Sequence, residues 1–140
     1  MIDKRHVIRM KVPFPDVKSG LATQAHMYVC LDNADEKRFV ACQTFKPYHL
    51  KSGSKPLQRI CEEPDINRNP FLKTSLIDCD KGFSFQGVNF PLALVTPKRD
   101  KVCEDLFYNI QNKIEHDSFT YTYPDINAFL SCNPKVDIVS

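Results

Sequence analysis

The sequence contains no CxxC pair, no tryptophan, no apolar run of membrane-spanning length and no strong excess of either charge. The two closest cysteines, Cys30 and Cys42, are a dozen positions apart, and the four histidines at 6, 26, 49 and 116 show no ligand spacing. A zinc site is therefore not expected. Most of the six cysteines lie in apolar surroundings, where cysteine acts as a small hydrophobe. Free thiols in a reducing compartment are expected rather than a disulfide framework. The opening residues Ile2 to His6 are polar and lead into no signal-peptide core, and no stretch is long and apolar enough to span a membrane. The expected location is the cytoplasm. A net charge of +2 announces no general affinity for nucleic acid, so any such binding must come from a local patch. There are no internal repeats and no low-complexity segments, and no cofactor is expected.

What is present fits one globular domain of 140 residues, with 42% apolar residues, enough to bury a core without staples. Residues 7–31 read as strand, long loop, strand. Val7, Ile8, Met10 and Val12 alternate with Arg9 and Lys11, and Pro13 and Pro15 stop the strand because proline donates no ladder hydrogen bond. Residues 16–24 form a polar loop, and residues 26–31 form an apolar strand. So long a loop suits one wall of a site, with Gln24 and His26 at its exit; the alternative is a surface loop and a core histidine. Residues 38–45 predict a third strand in a hairpin with the second, followed by a Lys- and Ser-rich loop over 48–56. Shorter strands are expected over 57–63 and 71–78, with a hairpin turning at Gln86-Gly87. The four-residue spacing of Val102, Leu106, Ile110 and Ile114 predicts an amphipathic helix over 101–116, capped by Asp100. Residues 119–123 read as a strand and 125–132 as a short helix. The fold class is α+β, mainly β: a small, strongly bent barrel over about 5–97, the helix, and an extension over 117–140.

HVIRMKVPFPDVKSGLATQAHMYVCL resembles the opening of the MazF/PemK/Kid toxin family. There a first strand with a V-x-F-P-like end leads through a Gly- and Gln-containing loop to an H-R-P-like step and a V-V-L strand. VACQTFKP resembles that family's third strand, which ends in a catalytic threonine. SLIDCDKGFSF resembles its later L-x-D-Q-V/I-x-[ST]-I segment, and the helix from Lys101 resembles its C-terminal helix. The resemblance covers roughly residues 5–115. It implies an SH3-like barrel, usually a homodimer, that cleaves single-stranded RNA without metal and is neutralised by an antitoxin protein. Thr44 falls on the family's threonine. The family's arginine, just before the proline of its second strand, falls on His26, a departure from the pattern.

Cleaving RNA at its own 2′-hydroxyl needs a base for the 2′ proton, an acid for the 5′ oxygen, and positive charge for the crowded phosphorane. Histidine suits the proton transfers near neutral pH, and lysine or arginine suits the charge. His26 is the candidate acid/base, Thr44 the phosphate anchor, and Arg9 and Lys46 the charge stabilisers. Gln24 is a candidate to orient the phosphate. Lys18, Tyr48, His49, Lys51 and Lys55 are candidates for binding the RNA by charge and base stacking, with His49 held in reserve for His26. Asp78 and Asp80 are open to two readings, a base edge or a turn corner. The competing functions are a CcdB-like protein-binding barrel and an RNA-binding barrel without catalysis.

Overall fold

The structure, a computed structural model, describes residues 2–139. Strand β1 (Val7–Met10) is followed by a polar loop that contains one helical turn, α1 (Gly20–Thr23), rather than being wholly irregular. Strands β2 (His26–Cys30) and β3 (Lys37–Thr44) form the expected hairpin, and a 3₁₀ turn at Pro47–Leu50 follows. Strand β4 (Arg59–Glu62) begins later than the sequence suggests, because the Asp80 carboxylate takes the N–H groups of Leu57 and Gln58 at 2.6 and 2.9 Å. Strand β5 (Ser75–Asp78) is shorter than expected at its start. Strands β6 (Lys81–Phe85) and β7 (Val88–Asn89) flank Gly87, whose φ of +73° suits glycine. They do not form the expected hairpin with each other.

Helix α2 (Glu104–Lys113) is shorter than the predicted helix. Its cap is Cys103, whose Sγ accepts the Leu106 N–H, and not Asp100. Residues 101–103 are instead drawn out against the N-terminal segment and the loop between β4 and β5: Lys101 bridges His6, the Val102 N–H donates to Arg5 O, and the Cys103 N–H donates to Arg68 O. Strand β8 (Thr120–Thr122), helix α3 (Ile126–Cys132), capped by Asp125, and strand β9 (Asp137–Ile138) follow.

The main sheet runs β1-β2-β3-β5-β4, antiparallel throughout. Long β3 is shared: Lys37 to Phe39 pair with β6, and Cys42 to Thr44 pair with β5. The corner Asp78 to Lys81 joins those two partners and bends the sheet. Strand β8 adds to β6 in parallel. Gly82 makes that approach possible, since a Cβ there would lie 2.8 Å from Phe39 O and from the Tyr121 ring. Among the described residues the strand path does not close into a barrel; β1 reaches Val95 only through an isolated bridge at Ile8. No helix among them is long and apolar enough to cross a membrane.

Both faces of the sheet are covered, which is why neighbouring Val7 and Ile8 are both fully buried. On one face Val7, Val29, Val40, Cys42 and Ile77 meet Val102, Leu106, Phe107 and Ile110. Burying each large side chain of that helical face contributes roughly 1.5–3 kcal/mol. On the other face Ile8, Met10, Tyr28 and Phe39 meet a cluster of phenylalanines. The segment expected as an extension joins both cores: Phe119 and Tyr121 pack against the first, and Ile126, Phe129, Leu130 and Val136 belong to the second. Phe129 is fully buried with its ring centroid 4.3 Å from that of Phe85. The Asn133 amide pairs with both backbone groups of Lys11, and β9 pairs with β7.

Candidate nucleic-acid cleft

The antiparallel register brings one end of the sheet together: Arg9 opposes Met27, Met27 opposes Cys42, and Thr44 opposes Ser75. A cleft of about 430 Å³ opens there. Arg9, Gln24, His26, Thr44, Lys46 and Tyr48 all line it, although they come from β1, β2, β3 and two loops. Strand alternation sets Arg9 and Thr44 on the face that carries α2. His26 has the opposite phase and reaches the cleft as the first residue of β2, at its rim.

The lining contains three cationic side chains, Arg9, Lys46 and Lys73, and no carboxylate. All three are exposed, and among the described residues none of them is in an ion pair. The cleft is thus a local basic patch on a chain of near-neutral charge, suited to an anion.

The His26 ring is half-buried, with Nδ1 3.0 Å from the Gln24 carbonyl oxygen. A carbonyl only accepts, so Nδ1 carries the proton in that bond and the neutral ring keeps its lone pair on Nε2. A nitrogen of that kind can act as a general base. Cys42 also borders the cleft, but burial pushes its thiol far above the usual range, so it offers no thiolate nucleophile.

Four expected RNA contacts, Lys18, His49, Lys51 and Lys55, lie outside this cleft. Lys18 and Lys51 are exposed on neighbouring loops and line neither this cleft nor the next. Lys55 lines a second cleft of about 490 Å³ with Asp78, Asp80 and Lys81; Gln43 borders both. Burial pushes the Asp78 carboxyl up, and its Oδ1 accepts the N–H groups of Asp80 and Lys81, so the turn-corner reading describes it.

His49 was expected on a soft basic loop and is instead 1% exposed. Its Nδ1 accepts the Lys46 N–H at 2.8 Å, while its carbonyl accepts from Arg59 Nη2 at 2.7 Å and from Ser54 Oγ at 3.0 Å. It is a structural hub rather than an RNA contact or a substitute for His26.

Lys73, Gln43 and Leu72 line the cleft and were missed. Lys73 and Leu72 precede β5, and only the non-local pairing of β5 with the end of β3 brings them to Thr44. No local signal marks that pairing. Among the described residues, no group of three or more His, Cys, Asp or Glu side chains is placed to hold a metal ion. Compared with protein-family models, curated proteins and solved structures, the chain matches none of them.

Proposed function

We propose that the chain is an endoribonuclease toxin of the MazF/PemK/Kid kind, cleaving single-stranded RNA without metal. The observation that carries the reading is the meeting of His26 and Thr44 in one cleft with three cations and no carboxylate. His26 Nε2 takes the proton from a 2′-hydroxyl, whose oxygen attacks the adjacent phosphorus. The bond from phosphorus to the 5′ oxygen breaks, and the imidazolium returns its proton to that oxygen. Arg9, Lys46 and Lys73 stabilise the charge of the phosphorane, and Thr44 hydrogen-bonds the phosphate. Gln24 holds the His26 ring through its carbonyl.

On this reading the bent, open sheet is a relative of the SH3-like barrel, and the working unit is a cytoplasmic homodimer bound by an antitoxin protein. That setting rests on the resemblance of residues 5–115. The test is incubation of a mixed-sequence single-stranded RNA with the protein in excess EDTA. Cleavage to products ending in a cyclic phosphate supports the reading. Binding without cleavage would leave an RNA-binding barrel, and neither binding nor cleavage would favour a CcdB-like protein-binding role.

A further inference from the structure

Tyr48 stands apart from the other residues of the cleft. It is a large aromatic side chain, 54% exposed, beside three cations. Its ring packs in a tilted arrangement against His49, at 4.2 Å between centroids and 39° between planes. His49 is itself fixed by the hydrogen bonds that tie it to Lys46, Ser54 and Arg59, and by the Phe45 ring at 5.8 Å. The Tyr48 ring is therefore held on one side and open on the other. Leu72, 68% exposed and also on the cleft, adds open apolar surface. An anion alone has no use for these two groups. A flat aromatic attached to an anion uses both.

We infer that the cleft binds a nucleotide by both ends, with the base stacked on the open face of Tyr48 beside Leu72 and its phosphate among Arg9, Lys46 and Lys73. This rests on the RNA reading above and adds which part of the nucleotide each half of the cleft takes. The turn links the two halves at one point, because the His49 side chain beside Tyr48 also accepts the backbone N–H of Lys46. A stacking platform tolerates any base, since every base has a π-face. Binding should therefore depend strongly on the presence of a base and weakly on which one it is.

The experiment compares two probes on the whole chain: a single-stranded RNA oligonucleotide with 2-aminopurine at one position, and inorganic tripolyphosphate, which has charge and no base. Variants are Tyr48→Ala and Tyr48→Phe. Both replace an exposed side chain, and an unchanged melting temperature checks the fold. Tyr48→Ala should weaken oligonucleotide binding by roughly 5- to 150-fold. It should also abolish the quenching of 2-aminopurine while leaving tripolyphosphate affinity within twofold of wild type. Tyr48→Phe should keep both affinity and quenching, because it keeps the ring. If Tyr48→Ala leaves oligonucleotide binding unchanged, or weakens both probes equally, the base platform is wrong and the RNA reading stands. If wild type binds neither probe, both are overturned.

Discussion

Removing Lys73 should change how RNA binding responds to salt. Lys73 is exposed at the mouth of the cleft, in no ion pair among the described residues, so Lys73→Ala takes away one charge and disturbs little packing. Single-stranded RNA releases condensed counterions when cations neutralise its phosphates, with a slope of about −0.7 in log K against log salt per contact. Counting one phosphate contact per cation, to the bound nucleotide and its neighbours along the strand, three cations set a slope of about −2.1 for wild type and two set about −1.4. Between 50 and 200 mM salt the wild-type affinity should fall about 18-fold and that of the variant about sevenfold. Fluorescence anisotropy of a labelled oligonucleotide across that range measures both slopes. A wild-type slope near zero would show that the cleft does not meet phosphates. An unchanged slope in Lys73→Ala would place Lys73 outside the contact.

Phe129→Ala should cost about 3–5 kcal/mol, because the ring is fully buried against Phe85 and Phe90; denaturant titration measures this. A loss below 1 kcal/mol would mean that the C-terminal segment is an appendage to the core. His6 should make stability depend on pH. Burial, helped by Lys101, holds its folded-state value below the ordinary 6.5. A group of that kind contributes stability above its unfolded value and loses it as pH falls through that value towards the folded one. Wild type should therefore lose stability below about pH 6.5, and His6→Gln should lose less over the same range in thermal melts. Parallel curves would remove His6 from the account.

The parts of the fold that were legible in the sequence depend on local pattern. Strands β1 and β3 announce themselves by runs that stop at Pro13 and Pro47, and β2 by an apolar run after the polar loop. Leu106 and Ile110 mark the buried face of α2, and Asp125 marks the start of α3. What was hidden depends on contacts between distant residues. Nothing near β3 says that β6 takes its first half and β5 its second, and the bend of the sheet follows from that division. The partner of β7 lies about fifty residues along the chain in β9, so a nearby Gly turn suggested the wrong hairpin. The candidate site shows the same split. Residues at the ends of β1, β2 and β3 were found because those ends meet at the long loops. Lys73 was not, because it arrives with β5. His49 is buried because its carbonyl ties Ser54 and Arg59 and its ring ties Lys46, contacts that a loop rich in lysine and serine does not announce.

The most direct test of the central claim is the rate of RNA cleavage by His26→Ala beside wild type, in EDTA, with RNA binding and melting temperature measured on the same samples. Loss of a general acid/base typically lowers the rate by about 10²–10⁴. The account predicts a loss of that size with binding and melting temperature unchanged, since His26 is half-buried at the rim of the cleft and, among the described residues, its side chain bonds only the Gln24 carbonyl. Cleavage by His26→Ala at the wild-type rate would contradict it.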